Sequence, residues 1–170
     1  MKLQSVDVKT LSPDVFRVFG TLNALLTAGD RDRCNTMTIG WCQLGCVWNL
    51  PTCTVYVRPE RYTYQFMESH DYFTVSVFPA DRKKDMTFCG TKSGRDVDKV
   101  KECGLTLRYG AGDAPFFEEA EWVLVCRKLF VQDLEASCVT DERVFKSYTP
   151  AMGGWHRAYV GEVVEAYQKR

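Results

Sequence analysis

Residues 24–41, with the sequence ALLTAGDRDRCNTMTIGW, contain two strand-like segments separated by a short charged turn. Residues 24–28 are mostly apolar, and residues 29–33 carry the glycine and the acidic side chains that favour a reversal of the chain. In residues 35–41 small hydroxylated side chains alternate with larger apolar ones, which is the two-residue period of a strand. The stretch therefore predicts a β-hairpin.

Similar short segments, rich in β-branched and aromatic residues, recur between turn signals. They cover residues 52–57, 72–78, 122–131 and 155–164. The helical patterns near residues 15–19 and 62–68 are short, and strands do not alternate with helices as they would in a doubly wound sheet. The sequence predicts a mainly β fold, a barrel or a sandwich with a few peripheral helices, in one domain over residues 1–170.

The composition argues against several classes of function. The chain has 22 basic and 22 acidic residues, so no overall field would attract nucleic acid or an anionic membrane. No apolar run approaches the roughly 18 residues of a transmembrane helix, and the beginning of the chain lacks the apolar centre of a signal peptide. We therefore expect a cytoplasmic protein that binds neither nucleic acid nor membrane, and in which any cationic site is local.

The eight cysteines do not have the spacing of a metal site. They include no C-x-x-C pair, and the two histidines, His70 and His156, are far apart in the sequence. We expect no metal, and we expect reduced, mostly buried thiols because no secretory signal is present. Cys34, beside the charged turn, is the best candidate for a reactive exception.

Residues 58–64, RPERYTY, form a candidate anion site. They follow a predicted strand, and Pro59 stands where a helix can begin, since proline tolerates the first helical turn. The unpaired amides of a helix start, flanked by Arg58 and Arg61 and followed by the hydroxyl of Thr63, favour an anion. The segment therefore predicts a phosphate site to which Arg58 contributes a charged hydrogen bond.

Residues 88–99, FCGTKSGRDVDK, have two interpretations. Ser93 and Asp96 have the spacing of a capping box, which predicts an ordinary solvated helix. The same helix start, together with Lys92 and Arg95, would also favour a phosphate. Neither this segment nor the glycine pair further along matches a dinucleotide or P-loop fingerprint, so those chemistries are disfavoured.

Residues 35–41 likewise have two interpretations. Thr36, Thr38 and Gly40 share one face of the predicted strand, so a flat ring would be able to lie close to the backbone there. The same pattern is typical of an ordinary half-buried strand whose threonines face solvent. The pattern alone leaves both open.

Taken in order along the chain, these segments resemble the flavin reductase-like, FMN-binding split-barrel family, which includes flavoredoxins. The resemblance extends from about residue 24 to residue 164 and rests on residues 35–41, 58–63, 73–76, 88–96 and 156–164. It implies a six-stranded split β-barrel, FMN as the cofactor, and a homodimer with the flavin near the subunit interface.

The resemblance also implies which residues bind the cofactor. Residues 35–38 would lie along the isoalloxazine ring and offer backbone amides and threonine hydroxyls, residues 58–63 would hold the phosphate, and a loop over residues 88–90 would close on the ribityl chain. Residues 91–95 would complete the phosphate pocket. The full set implied to bind FMN is Asn35, Thr36, Met37, Thr38, Arg58, Pro59, Thr63, Phe88, Cys89, Gly90, Thr91, Lys92, Ser93 and Arg95.

His156 is the implied catalytic residue. The resemblance places it where a nicotinamide docks, so that it would hydrogen-bond the carboxamide or supply a proton to the reduced flavin. Without the resemblance, a lone histidine on a strand is more often a packed or solvated residue.

Three functions remain open at this point. A flavin reductase would take hydride from NADH or NADPH and pass electrons to free flavin, ferric iron or another small-molecule acceptor. A flavoredoxin-like carrier would hold FMN and exchange electrons with a protein partner, without using a nicotinamide site. A barrel that binds FMN or pyridoxal phosphate without turnover is the third. The sequence does not discriminate between the first two.

Overall fold

The structure is a computed structural model that describes residues 2–170, and within this range the chain forms ten strands. In chain order they are β1 (Leu3–Val6), β2 (Ala24–Gly29), β3 (Cys34–Ile39), β4 (Cys42–Val47), β5 (Leu50–Val57), β6 (Tyr72–Val77), β7 (Leu107–Tyr109), β8 (Pro115–Phe117), β9 (Trp122–Asp133) and β10 (Arg157–Lys169). The predicted strands are all present, although the last one begins at Arg157 and continues beyond residue 164.

The helices are short and connect the strands. They are α1 (Val15–Arg17), α2 (Tyr62–Ser69), α3 (Lys83–Thr91) and α4 (Lys99–Glu102), with a π-helical turn at Val18–Leu22 and 3₁₀ turns at Val8–Thr10, Ala80–Arg82, Ala111–Asp113, Ala136–Cys138, Glu142–Ser147 and Pro150–Met152. Of the helices described, none is long and apolar enough to cross a membrane. The predicted mainly β fold with short peripheral helices is confirmed.

One antiparallel sheet organises the molecule. Its strand order is β3-β2-β6-β9-β10-β5-β4, β1 pairs with β10, and β7 and β8 form a separate pair. The sheet has eight strands rather than the six that the resemblance implied. One reason is the length of β10, 13 residues, which pairs with β5 over its first part and with β1 over its last part. Over the described residues, the edge strands β3 and β4 do not pair with each other, so the sheet is not closed.

The sheet nevertheless curls around a common core. Met37 of β3 and Val55 of β5 belong to the same buried cluster although their strands lie near opposite ends of the sheet. A second cluster on the other face contains Leu25 of β2 and Phe116 of β8. Because both faces of β2 are covered, all six of its residues are buried, as expected for a continuous apolar strand in the centre of a fold.

Two hairpins bring the ends of the sheet into position. The predicted one joins β2 to β3, with Gly29 opposite Cys34. The second joins β4 to β5 and was not predicted, because its two turn residues are Trp48 and Asn49, both with positive φ (54° and 59°). Asparagine is a usual residue for such a turn and tryptophan is not, so the local sequence carries a weak signal.

Candidate functional site

A groove along β3 consists of two adjoining cavities that share Met37 and Arg61. The cationic cavity, about 180 Å³, is lined by Asn35, Met37, Glu60, Arg61, Tyr62, Thr63, Gly90, Thr91, Lys92, Ser93, Gly94, Arg95 and Lys99. The aromatic cavity, about 220 Å³, is lined by Met37, Thr38, Ile39, Gly40, Trp41, Tyr56, Arg58, Arg61 and His156. The groove therefore has a strongly basic end and an end rich in rings.

The floor of the groove is an edge strand. β3 pairs only with β2, so its other edge has no strand partner in the sheet. An edge strand leaves backbone N–H and C=O groups free for other partners. This placement fits the implied role of residues 35–38, which is to offer backbone groups to a flat ligand.

The threonine side chains of β3 are less available to a ligand than the sequence pattern suggested. The hydroxyl of Thr36 is buried and donates to the carbonyl of Leu26 at 3.2 Å. The hydroxyl of Thr38 donates to the carbonyl of Met86. Both hydroxyl protons are therefore used within the protein, and of the two threonines Thr38 lines the groove.

The helix expected from residue 59 begins three residues later. Arg61 has an extended backbone (φ −71°, ψ 134°) and precedes Tyr62, the first residue of α2. A turn stands in front of it, closed by the amide of Arg61 donating to the carbonyl of Arg58 at 3.0 Å. The prediction that Pro59 opens the helix is thus wrong, because proline fixes φ equally well for a turn.

Hydrogen bonds join β3, α2 and α3 around the cationic cavity. The amide of Asn35 donates to the hydroxyl of Thr63 at 2.8 Å, and both side chains are buried. A guanidinium N–H of Arg61 donates to the carbonyl of Gly90 at 3.0 Å. Burial, reinforced by the charge of Arg58, lowers the pKa of Arg61, so this cation is partly desolvated and poorly compensated.

Residues 88–90 are helical, and the prediction of a loop there is wrong. They belong to the last turn of α3, where Phe88 and Cys89 pack into the second core cluster. Burial, followed by the nearby Cys103, raises the pKa of Cys89 to about 12, so its thiol stays protonated. At Gly90 a Cβ atom would lie 3.3 Å from the Cβ of Thr38, so glycine allows α3 to pack closely on β3.

The predicted capping box at Ser93 is also wrong. Its hydroxyl accepts from the amide of Arg95 at 3.2 Å, within a turn, and α4 begins only after Asp98, which caps it by accepting from the amide of Lys101 at 3.1 Å. The reason lies in tertiary contact, since the chain must cross the cationic cavity before it enters α4. Arg95 packs its guanidinium 4.8 Å from the centre of the Tyr62 ring at this crossing.

Lys99 is a site residue that the sequence did not single out. Its side chain is buried (5% exposed), and its ammonium donates to the carbonyls of Thr36 and Cys89, both at 2.8 Å. Burial lowers its pKa, and the charge of Arg61 acts in the same direction. In a segment as charged as residues 92–102, a lysine has no local pattern that predicts burial, so only the fold identifies it.

His156 lies in the aromatic cavity with both ring nitrogens engaged. Its Nε2 accepts from Nε of Arg58 at 3.2 Å, so Nδ1 carries the proton and donates to the hydroxyl of Tyr148 at 3.0 Å. The ring centre is 4.5 Å from that of Trp41. Burial, followed by the charge of Arg58, lowers the pKa of His156 to about 4, with Glu60 opposing.

With its pKa lowered to about 4, His156 is neutral near pH 7, which does not favour the implied supply of a proton; both implied roles stay predictions. Arg58 is at the same end of the groove, where it also donates to the carbonyl of Ser147 at 2.8 Å and keeps one buried guanidinium nitrogen without a partner. The structure thus places Arg58 apart from residues 91–95, which line the cationic cavity.

All eight cysteines are free thiols over the part of the chain described. Cys34, the predicted reactive candidate, is partly buried, and its burial together with the nearby carboxylates of Asp98 and Asp30 raises its pKa to about 11. A thiol with a raised pKa is a poor nucleophile near neutral pH. The prediction that Cys34 is the reactive cysteine is therefore not supported.

The predicted site residues fall into three groups. Those that line the cationic cavity are Asn35, Met37, Thr63, Gly90, Thr91, Lys92, Ser93 and Arg95. Those that line the aromatic cavity are Met37, Thr38, Arg58 and His156. Those that line neither are Thr36, Pro59, Phe88 and Cys89.

Comparison with solved structures identifies several with the same fold. Flavoredoxin from Methanosarcina acetivorans is 26% identical with a TM-score of 0.68, over 87% of this chain and 68% of that one. Flavoredoxin of Desulfovibrio vulgaris (Miyazaki F) is 22% identical with a TM-score of 0.68, over 98% and 76%. The NADH:FAD oxidoreductase of Streptomyces globisporus, solved with NAD and FAD fragments, is 22% identical with a TM-score of 0.64, over 90% and 79%.

Sequence comparison adds a match to one family. No curated protein sequence matches the chain significantly. A model of the flavin reductase-like domain, however, matches residues 16–170, which include every strand of the large sheet except β1 and both cavities of the groove. The chain therefore belongs to the flavin reductase-like domain family.

Proposed function

We propose that the groove binds FMN and that the protein is an NAD(P)H-dependent flavin oxidoreductase, which passes electrons to free flavin, ferric iron or another acceptor. The observation that carries this proposal is that the two cavities adjoin, with Met37 and Arg61 lining both. A basic cavity joined to a cavity with rings matches a ligand that has a phosphate at one end and a flat ring at the other.

The residues present fit this cofactor. Arg61, Lys92, Arg95 and Lys99 line the cationic cavity, where Glu60 supplies a single carboxylate. That carboxylate already accepts from the amide of Gly154 at 2.8 Å. The cavity therefore has more positive than negative charge, and a phosphate would compensate the excess.

The aromatic cavity would hold the isoalloxazine ring of FMN. FMN, when bound, supplies the hydride-accepting and electron-transferring chemistry that the side chains lack. The free edge of β3 would offer backbone donors to the ring, and Trp41 would flank it. His156, neutral and fixed by Arg58 and Tyr148, would position a second ring or the flavin without giving up a proton.

An electron carrier that works with a protein partner is the alternative function. Similarity to two flavoredoxins supports it. An exposed apolar surface around the β4–β5 turn and the distal half of β9 would suit a protein contact as well, with Trp48 57% and Phe130 45% exposed. Such a carrier would need the FMN groove but no nicotinamide site.

An anaerobic titration separates the two functions. The purified protein is expected to bind FMN with a bleachable absorbance band, and addition of NADH or NADPH is expected to bleach it. A protein that binds FMN but is bleached only by dithionite would be the carrier. A protein that binds no flavin would contradict both functions.

The role of His156 is tested by the same measurement. The His156→Ala variant is expected to be reduced more slowly by NAD(P)H while its FMN affinity and its reduction by dithionite stay close to wild type, because hydride transfer depends on ring-to-ring geometry. An unchanged rate per bound flavin, with a lowered melting temperature, would make His156 a packing residue.

We also propose that the protein is a homodimer. The implied split barrel places its flavin near a subunit interface, and 13% of the chain is aromatic with a net charge of zero, so little repulsion opposes association. The exposed apolar surface described above offers an interface of the required character.

A further inference from the structure

Two cysteines, Cys89 and Cys103, meet next to the cationic cavity. Cys89 lies in the last turn of α3 and is fully buried, whereas Cys103 directly follows α4 and is partly buried. Their Sγ atoms are 3.8 Å apart, and the proposed function uses neither thiol. The pair is therefore a dithiol that a small rearrangement would bring to the bonding distance of a disulfide.

A second pair of thiols is closer but less suited to a disulfide. Cys42 and Cys53 have Sγ atoms 3.5 Å apart on the neighbouring strands β4 and β5. Cys53 pairs with Leu44, so Cys42 and Cys53 are diagonal neighbours across the two strands. Such positions are about 7 to 8 Å apart between Cα atoms, beyond the usual reach of a disulfide, and the strand pairing opposes a closer approach. Cys89 and Cys103 lie outside the sheet, so no strand pairing fixes their separation.

The chain between Cys89 and Cys103 is the segment that crosses the cationic cavity. The ammonium of Lys99, near the end of this segment, donates to the carbonyl of Cys89 at 2.8 Å, so its two ends are already in contact. A bond between the two cysteines would close a ring over residues 89–103 and restrict the movement of the segment. The residues of the segment that line the cavity are Gly90, Thr91, Lys92, Ser93, Gly94, Arg95 and Lys99.

We propose that Cys89 and Cys103 form an oxidation site, at which a small-molecule disulfide converts the two thiols into an intramolecular disulfide that holds the segment over the cationic cavity. The disulfide itself does not depend on the proposed function. Its effect on the release of flavin rests on that function.

The oxidation consists of two thiol–disulfide exchanges. The thiolate of Cys103, the more exposed of the two, attacks one sulfur of the small-molecule disulfide, forms a mixed disulfide and releases one small-molecule thiol. The thiolate of Cys89 then attacks Sγ of Cys103, which forms the intramolecular bond and releases the second small-molecule thiol. Two electrons pass from the protein to the oxidant, and the two protons of the protein thiols end on the released thiols. Burial raises the pKa of both protein thiols, so little thiolate is present near neutral pH and the exchange is slow there.

Peptide mass spectrometry tests whether the bond forms. The wild-type protein is incubated with glutathione disulfide at about pH 8.5, where more of each thiol is ionised, and is then digested. We expect a disulfide-linked pair of peptides that contain Cys89 and Cys103. Cys42→Ser, which removes the other close pair, is the control and should give the same linked peptides. A wild-type product without the bond between Cys89 and Cys103 would overturn the proposal.

Limited proteolysis tests whether the bond holds the segment, without any flavin. Lys92 and Arg95 are exposed within it, and trypsin cleaves after such residues when the chain opens locally. We expect slower cleavage after both in the oxidised protein, in fragments analysed after reduction. Cleavage after the exposed Arg143, outside the segment, is the internal control and should not change. Equal cleavage of the segment in oxidised and reduced protein would overturn its restriction by the disulfide.

The oxidised protein should also release FMN more slowly. We expect the dissociation rate, followed by the recovery of flavin fluorescence on dilution, to fall by about threefold or more, because a restricted segment opens less often. Cys103→Ser replaces one partly buried sulfur by oxygen and cannot form the bond, so the same treatment should leave its rate unchanged. An equal slowing in this variant, or none in wild type, would overturn the effect on release. A wild-type protein that bound no flavin would contradict the proposed function, while the linked peptides would still decide whether the oxidation site exists.

Discussion

At the scale of single residues, two arginines three positions apart have different tasks. Arg61 lines both cavities and donates to Gly90, whereas Arg58 donates to His156 and to the carbonyl of Ser147 at the aromatic end. Their spacing in the sequence suggests one shared anion, but the turn that precedes α2 directs them to different parts of the groove. Of the two, only Arg61 lines the cationic cavity, the proposed phosphate site.

Substitution of the two arginines should separate these tasks. Arg61→Ala is expected to weaken FMN binding by about tenfold or more, because a charge-assisted hydrogen bond contributes about 1.5 to 3 kcal/mol. Arg58→Ala should alter FMN affinity less and should instead slow reduction by NAD(P)H, since it releases His156. Fluorescence titration and stopped-flow absorbance measure the two effects. A larger loss of FMN affinity in Arg58→Ala would place the phosphate beside Arg58, as the sequence alone suggested.

The lowered pKa of His156 predicts that the stability of the protein depends on pH. Its pKa is lowered to about 4 in the folded protein, while an unfolded chain has the ordinary value near 6.5. The unfolded state therefore binds more protons between these values, so this contribution to stability is complete above about pH 6.5 and is lost as the pH falls towards 4.

We expect the melting temperature of wild type to fall over this window more steeply than that of His156→Phe, which cannot titrate. Thermal unfolding followed by circular dichroism between pH 4 and 7.5 measures the difference. Parallel curves for the two proteins would show that the histidine titrates normally in the folded state.

At the scale of elements, the segment between α3 and α4 closes the cationic cavity. Gly94 lies so close to β3 that a Cβ atom there would be 1.9 Å from the side-chain oxygen of Asn35. Asn35 is itself held by Thr63, so it cannot move away without breaking that hydrogen bond. The segment therefore depends on glycine at this point to lie across the cavity.

Gly94→Ala should both destabilise the protein and weaken FMN binding. The cost in stability is expected to be about 1 to 3 kcal/mol, the usual range for overpacking a tight site. Gly45→Ala on β4 is the matched control, since no atom lies within 4 Å of the Cβ that it would add. Urea unfolding of the two variants measures the difference. Equal stability would mean that the segment lies further from Asn35 than described.

At the scale of the whole molecule, the distal half of β9 is notable because it exposes several apolar side chains to solvent. β6 pairs with β9 only as far as Arg127, so the following residues have a strand neighbour on one side, at β10. Leu129, Phe130 and Val131 are all exposed there, and Trp48 from the β4–β5 turn lies 6.1 Å from Phe130 between ring centres. Exposed apolar side chains around a contact such as that of Trp48 with Phe130, here called the apolar patch, are typical of an interface.

The patch predicts the oligomeric state. Wild type is expected to be a dimer by light scattering, and Phe130→Glu is expected to shift it towards monomer by placing a charge in the interface. Val144→Glu, at an exposed apolar residue outside the patch, serves as the control. A wild-type monomer that still binds FMN would show that one chain forms the complete groove and that dimerisation is not required.

The sequence alone determined the features that depend on local pattern. Alternation of apolar and small residues predicted the hairpin around Gly29 and the mainly β fold, since both follow from a two-residue period and turn chemistry. The ordered segments carried a resemblance to the family that the domain match then showed, and eleven of the fifteen residues implied by that resemblance line the groove.

Tertiary structure alone decided which of these residues meet and in what state. The burial of Lys99, the neutral form of His156 and the restriction of Arg58 to the aromatic cavity depend on contacts between residues that are distant in the chain. The start of α2 and the cap of α4 also differ from the predicted positions, since the local pattern in each segment allows more than one helix start. Desolvation and charge neighbours control protonation, and both exist only once the fold has formed.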